Sequence, residues 1–374
     1  MKAESGVKVV IAGLGFGSEF IPIYKDLKGV ESVGICARTA SKVKEVGDQY
    51  DIPPEMRFTD FNDILKREDI NTIHIVTPPQ SHADLSVASL KAGKHTACTV
   101  PMALSVDDCK AVVKARKAAD KVYMMMETVL YSREYLFVKD LVTSGRLGRV
   151  QFVRGSHQQD MGLEGWPEYW LGFPPMFYGT HAISPLVDIN GTLVDSVVCH
   201  GSGRIDEDMI PRYNSPFAIE TATFKLQDSD VRAEATRSLY STVRQYRESF
   251  DCYGDKMAFE WEQIAEEGHV LFEGGESARR IHVPDTDPML PEEIKKYTKR
   301  EQIHDQDHVS FIQGAGHGGS HPHLVNEFVK AILEGRDSAV DAVKAANITS
   351  AGLCAHESAM NNGREVKVPD FGAF

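Results

Sequence analysis

The sequence predicts an α/β protein: a doubly wound parallel sheet at the N-terminus, then an α+β region built on a large, mostly antiparallel open sheet. Three observations carry that prediction. A β-branched run at residues 8–12 passes directly into GLGFGSEF and a helical pattern, the order of strand, glycine turn and helix that opens a βαβ unit. Strand-like and helix-like segments then alternate as far as Glu127. Beyond it, strand-like runs at 194–203, 217–226, 231–239, 247–253 and 256–261 succeed one another with little helix between them. At 374 residues the chain exceeds what one core usually supports, so two domains are expected, 1–127 and 128–374.

In the first of these, Gly13 is expected to make the tight turn and Gly15 to let the backbone approach a pyrophosphate at the helix N-terminus, with Phe16 and Gly17 in the same turn. Ser18 stands where the third glycine of GxGxxG belongs and is small enough for the helix to pack on the strand. This is the Rossmann arrangement for a dinucleotide, NAD or NADP. The second strand, near 32–37, ends at Ala37 and Arg38, with no acid for a ribose 2′-hydroxyl. Arg38 either attracts a 2′-phosphate or lies over the adenine ring, so NADP stays open.

Helices follow near 41–50 and 62–66. A strand at 72–76 runs into Thr77, Pro78, Pro79 and, three residues on, His82. The two prolines delay the next helix and fix a loop at the carboxyl end of the sheet, where open α/β folds bind ligands. That helix ends at Gly93, a strand at 96–100 meets Pro101, and a capping box from Ser105 to Asp108 starts another helix. The strand KVYMMMET, with Met124, Met125 and Met126 as core filling, ends at Glu127.

Past Glu127, Ser132 caps a helix closed at Gly145, and a strand at 150–155 leads into an aperiodic stretch from Ser156 to Thr180. A loop of that length is usually functional. Its Trp166, Tyr169 and Trp170 offer flat faces for sugar stacking, or equally for core or subunit contacts. The stretch leads into FPPMFYGTHAISP, which sets Tyr178 beside His181. If a helix opens there, its unpaired N–H groups and dipole lower the imidazole pKa and make it a neutral base. Arg232, Arg237, Arg244 and Arg247 form a basic stretch, read as a solvated or interface face or as a site for an anionic sugar substituent. Residues 262–315 read as surface excursions. A glycine-rich loop, a Ser320 cap and a helix closed by Gly335 come next, then a last helix near 339–360. His317, His321 and His323 lack an acid or cysteine at fixed ligand spacing, so no metal is expected and at most one of them lines the pocket.

Composition narrows the function. A net charge of −13 argues against nucleic-acid or anionic-membrane surfaces. Hydrophobic residues at 42% and charged residues at 25% are those of a soluble globular protein. No secretory signal or membrane-spanning run is seen, so a cytoplasmic protein is expected. Six scattered cysteines read as buried apolar residues in a reducing compartment. A broad sheet with one open face predicts a homo-oligomer, dimer or tetramer.

The order of glycine turn, Thr77-Pro78-Pro79 with His82, and Gly93-Lys94-His95 before a strand ending at Pro101 resembles the Gfo/Idh/MocA oxidoreductases. That resemblance implies NAD or NADP as cofactor and a sugar or cyclitol as substrate. The family's Glu-Lys-Pro is here Thr99-Val100-Pro101, so the lysine that contacts the reacting hydroxyl is absent. The chain is more similar to the NAD-dependent glycoside hydrolases of family 109. There the lysine is also apolar, a Met-rich strand ends in Glu, and Tyr-x-Thr-His-x-x-x-Pro follows, as at Tyr178, Thr180, His181 and Pro185. The resemblance implies Glu127, Tyr178 and His181, and more loosely His157, as active-site residues, with Val100 and Pro101 at the cofactor. Gln158, Asp160, Trp166, Trp170 and Thr180 are the expected substrate contacts. The activity implied is an oxidoreductive glycosidase working through C3 oxidation; a sugar or cyclitol dehydrogenase and a non-catalytic dinucleotide sensor are the alternatives.

Overall fold

The structure is a computed structural model, and it describes residues 1–163, 166–244, 247–275, 277–298 and 317–373. Its first sheet contains β1 (Val7–Ala12), β2 (Val30–Cys36), β3 (Arg57–Phe58), β4 (Thr72–Ile75), β5 (His95–Thr99) and β6 (Tyr123–Met126). The order is β3-β2-β1-β4-β5-β6 and every pairing is parallel. Helices α1 (Ile21–Asp26), α2 (Ala40–Gln49), α3 (Phe61–Leu65), α4 (His82–Lys91) and α5 (Val106–Ala119) make the crossovers. With both faces covered, the strands are continuous apolar runs: Val9, Val10, Ile11, Ile73 and Ile75 are fully buried. The strand order reverses between β1 and β4, which opens a crevice at their carboxyl ends. Ser105 accepts from the Asp108 N–H at 3.1 Å, so the capping box forms.

The second sheet is mixed. It comprises β7 (Val150–Gln158), β8 (Val194–Ser202), β9 (Ile219–Leu226), β10 (Arg232–Ser238), β11 (Arg247–Gly254), β12 (Ala258–Glu260), β13 (His269–Phe272), β14 (Ala278–Ile281) and β15 (Val366–Lys367). The order β14-β13-β12-β11-β7-β10-β9-β8-β15 is antiparallel except where β7 meets β10. Helices α6 (Arg133–Thr143), α7 (Thr180–Asn190), the single turn α8 (Ile210–Tyr213), α9 (His321–Glu334) and α10 (Ala342–Met360) complete the chain. Residues 262–298 are therefore not mere surface excursions. Two of their segments extend the sheet as β13 and β14, because Leu271 and Ile281 alternate inward and find apolar cover. Residues 299–316 lie outside the described residues.

One close approach governs how the two sheets share a site. A Cβ on Gly155 of β7 would sit 1.9 Å from the Ala182 carbonyl oxygen, so only glycine lets the first turn of α7 lie directly on the sheet. His181 is thereby laid over His157. The chain after α9 runs along β6, where Met125 N–H donates to the Val340 carbonyl at 3.0 Å and the Ser338 hydroxyl to the Tyr123 carbonyl at 2.7 Å. Ser320 precedes α9, but its side chain makes no capping bond there. All six cysteines are buried and unpaired, and no helix among the described residues is long and apolar enough to cross a membrane.

Candidate active site

The turn after β1 has the shape a dinucleotide needs. Gly13 sits at φ +103°, and a Cβ there would lie 2.2 Å from the Val76 carbonyl oxygen, so the position excludes other residues on two counts. Gly15 faces open space, with nothing within 4 Å of where its Cβ would be. The small-residue contact expected at Ser18 belongs instead to Gly17, whose Cβ would lie 3.1 Å from Ile11 and 3.2 Å from Val76; the Ser18 hydroxyl turns back to the Gly15 carbonyl at 2.9 Å. Phe16 begins a 3-10 turn, Phe16–Phe20, and α1 follows from Ile21, where the helical pattern begins. Arg38 is exposed just past the carboxyl end of β2.

Across the crevice, the Thr77 and Ser81 hydroxyls lie 2.8 Å apart, and Pro79 is buried beside half-buried Pro78. His82 is not open to a cofactor. It is buried, with Nδ1 2.7 Å from the Pro101 carbonyl and Nε2 2.7 Å from the Thr77 carbonyl, and so braces the loops after β4 and β5 together. Val100 and Pro101 are buried too. Since Thr99 pairs with Met126, the next residues, Val100 and Glu127, leave the sheet side by side.

The catalytic candidates converge. Glu127, fully buried at the end of β6, holds Nδ1 of His181 through Oε1 and accepts from the Ser184 hydroxyl through Oε2 at 3.0 Å. Nε2 of His181 lies 3.3 Å from the Tyr178 hydroxyl. The His157 ring stands with its centroid 5.1 Å from that of His181. Register explains why: His157 of β7 is opposite Arg237 of β10 and Glu248 of β11, so all three project to the face α7 covers. Glu248 Oε1 is 3.8 Å from His157 Nε2 and 3.7 Å from His181 Nε2. His317 links the cluster to the glycine turn, its ring 5.6 Å from Phe16 and its Nε2 4.0 Å from Glu248.

Electrostatics reverse one sequence expectation. Burial does push the His181 pKa down, but the Glu127 and Glu248 carboxylates outweigh it and raise the value above the ordinary imidazole range. The helix N-terminus does not set this residue's protonation; the buried carboxylates do. His157 moves the opposite way, well down, through burial and the nearby Arg237 charge. Burial, with Glu248 next in effect, raises the Tyr178 phenol.

The far end of α7 is pinned by Asp188, which binds the Tyr135 hydroxyl, Lys139 at 2.7 Å and Lys344. Burial alone would raise its pKa, yet Lys344 and Lys139 bring it down to about 2. A folded-state value depressed from the ordinary 3.8 contributes stability above about pH 4 and loses it as pH falls through about 2. Asp188→Asn is accordingly expected to cost about 2 kcal/mol at neutral pH. In urea titrations the gap between variant and parent should close between about pH 4 and pH 2; a gap constant over that range would show that the ion pairs contribute nothing.

Not every substrate candidate reaches the cluster. Alternation along β7 turns Gln158 to the opposite face from His157. Both Asp160 oxygens accept from backbone, Oδ1 from Gly162 at 2.9 Å and Oδ2 from Ser241 at 3.1 Å, so it shapes a turn. Trp170 does lean on Tyr178, ring centroids 4.6 Å apart, whereas Trp166 is half-buried in a small apolar cluster with Phe173 and Tyr240. The Thr180 hydroxyl is buried with no hydrogen-bond partner among the described residues. Gln80 donates to the Tyr169 carbonyl at 3.1 Å, bringing the aromatic loop over the β4 loop.

The arginine stretch is neither a solvated face nor an anion site at Arg237. This residue is fully buried, donating to the carbonyls of Tyr178 at 2.8 Å and His157 at 3.2 Å and to Gln159 at 3.0 Å, which fixes the backbone that carries both catalytic candidates. Sequence reading missed Glu248 and Glu220. Glu220 is buried, accepts from the Met176 N–H at 2.9 Å and meets His356 at 2.7 Å, so it anchors the turn before Tyr178. Neither carries a motif; the strand register alone aims them inward.

Residues 7–127 match the GFO_IDH_MocA oxidoreductase family, NAD-binding Rossmann fold. The chain is 23% identical over 397 aligned positions to a glycosyl hydrolase family 109 protein of a Shewanella species, covering 98% of this chain and 85% of that one. It is 26% identical over 199 positions to 4-carboxy-2-hydroxymuconate-6-semialdehyde dehydrogenase of a Sphingobium species, covering 52% of this chain and 62% of that enzyme, less than two thirds of its length. The fold superposes on levoglucosan dehydrogenase in complex with NADH and levoglucosan with a TM-score of 0.76, at 19% identity over 97% of this chain and 100% of that one.

Proposed function

We propose, on the premise that residues 7–127 are an NAD-binding domain of the Gfo/Idh/MocA oxidoreductase family, that the protein is an NAD-dependent enzyme that cleaves a carbohydrate glycoside through temporary oxidation at sugar C3. The observation that carries this reading is the line of Glu127, His181 and Tyr178 at the carboxyl edge of the dinucleotide sheet, beside a position where valine replaces the family's lysine. Gly13, Gly15, Phe16, Thr77 and Pro78 would hold the dinucleotide, and the open side of Gly15 fits a pyrophosphate. NAD bound there supplies a reversible hydride acceptor, so that sugar C3 is a ketone for part of the cycle.

A C3 ketone acidifies the proton at C2. Its removal leaves an electron pair that expels the aglycone from C1; water then adds at C1 while a proton returns to C2. In this scheme Nε2 of His181 is the position where the proton is handled, since Glu127 fixes Nδ1 and compensates any positive charge on the ring. Tyr178 orients the sugar through its hydroxyl, and Trp170 presents an aromatic face. Direct hydrolysis would need two carboxyl groups flanking the scissile bond. Glu127 does not suit that role, because it is fully buried and engaged with His181 and Ser184.

A plain dehydrogenase is the second reading, favoured by the likeness to the Sphingobium dehydrogenase over half of the chain. Incubating the purified protein with a panel of nitrophenyl glycosides and trace NAD separates the two. Nitrophenol released in large excess over NAD supports the glycosidase. NADH formed one-for-one with oxidised sugar, without nitrophenol, supports the dehydrogenase; dinucleotide binding with neither product contradicts both.

A further inference from the structure

We infer that His157, His181 and Glu248 bind a divalent transition-metal ion of the zinc class and leave its fourth position open. The donor atoms of the three lie within 4.8 Å of one another. Glu248 Oε1 is the common vertex, 3.7 Å from His181 Nε2, 3.8 Å from His157 Nε2 and 4.0 Å from His317 Nε2. A carboxylate sharing a proton with one imidazole would close to a hydrogen bond of about 2.7–2.9 Å with that ring. Standing off His157 and His181 by similar amounts is instead the spacing of ligands around a common centre. Bonds of about 2.1 Å in a tetrahedron put donor atoms roughly 3.4 Å apart, so Glu248 needs to move only a few tenths of an ångström towards the His157 and His181 rings, and donor atoms as far apart as 4.8 Å need to close by about 1.4 Å.

The surroundings orient the rings as metal ligands are oriented. Glu127 holds Nδ1 of His181, and His321 Nε2 lies 3.2 Å from Nδ1 of His317, with Glu19 3.4 Å behind His321. The His181 and His317 rings are thus held at Nδ1, the arrangement by which a second layer of groups fixes tautomer and direction. His317 adopts φ +52°, a left-handed conformation that is unfavourable for a side-chain-bearing residue, and in it the imidazole reaches the cluster. Sequence spacing cannot reveal such a site, because its ligands come from β7, α7 and β11. His323 takes no part; it meets the Thr286 hydroxyl at 3.1 Å.

For the role of the ion we rely on the reading under Proposed function. It would supply the positive charge that Val100 cannot, holding and polarising the sugar oxygen at C3. With the ion bound, Nε2 of His181 is a ligand and cannot also take the C2 proton, so the ion and the proton transfer assigned to that nitrogen are alternatives between which the test below decides.

The test uses the full chain, stripped with chelator and reloaded with Zn2+ or Co2+. Expected are one ion per chain by elemental analysis and, with Co2+, the visible bands of a four-coordinate nitrogen/oxygen site. In calorimetry His157→Ala and Glu248→Gln should each weaken binding at least about 100-fold, and Glu127→Gln about 10–100-fold. Unchanged NADH binding shows that each variant is folded, and the near-isosteric Glu248→Gln serves if His157→Ala is not. No ion bound by folded protein, or binding that survives both ligand substitutions, overturns the site. Glycoside turnover by ion-free protein would sink the ion and leave the functional reading; one ion per chain without turnover on any glycoside would do the reverse.

Discussion

His181→Ala is expected to lower turnover about 1,000-fold while dinucleotide affinity stays within about twofold. The imidazole is the convergence point of the site. Glu127 holds one ring nitrogen, and the other faces the Tyr178 hydroxyl and Glu248, so removing the ring deletes the group at the reacting position and strands a buried carboxylate. Its own link to the glycine turn is indirect, through His317 and Phe16, which is why cofactor affinity should survive. Pre-steady-state kinetics with NADH fluorescence separates the two quantities. Unchanged turnover removes His181 from the chemistry; turnover and NADH binding lost in equal measure would mean the substitution disrupts the fold.

Gly13→Ala should give the converse result. At φ +103° an alanine is strained, and its Cβ would meet the Val76 carbonyl at 2.2 Å, so the turn has to move away from β4. NADH affinity is expected to fall at least about 100-fold, equivalent to about 2.7 kcal/mol. The His157, His181 and Glu248 cluster, built on the other sheet and on α7, should keep its geometry. Fluorescence titration measures the first effect and Co2+ spectra the second. Wild-type NADH affinity in Gly13→Ala would show that the dinucleotide does not use this turn.

The sequence made the first sheet legible because parallel strands buried on both faces read as apolar runs, and because the turn at Gly13 has a steric requirement only glycine meets. Glu127, Tyr178 and His181 were legible through resemblance to a motif, and the structure brings them into contact. Three things were not legible. Glu248 and Glu220 lie on ordinary strands, and their direction depends on register that no local pattern fixes. The protonation of His181 was misjudged because a dipole effect at a helix start is weaker than two carboxylates at short range in a buried site. His82 reads as a cofactor contact by its place after the proline loop, yet its ring is spent on two backbone carbonyls.

The stabilising frame and the chemistry meet on α7. Asp188 fixes its far end to α6 and α10, Gly155 lets its first turn rest on β7, and Arg237 holds the carbonyl of Tyr178 just ahead of it. His181 is therefore held by elements of both sheets.

The most direct measurement is the fate of hydrogen in the released sugar when a glycoside is turned over in D2O with unlabelled NAD, read by proton NMR. Oxidation at C3 followed by elimination predicts one solvent deuteron at C2 and retention of the original hydrogen at C3. Sugar released with protium at both carbons would contradict the account, because the bond would then have broken without the ketone on which every assigned role depends.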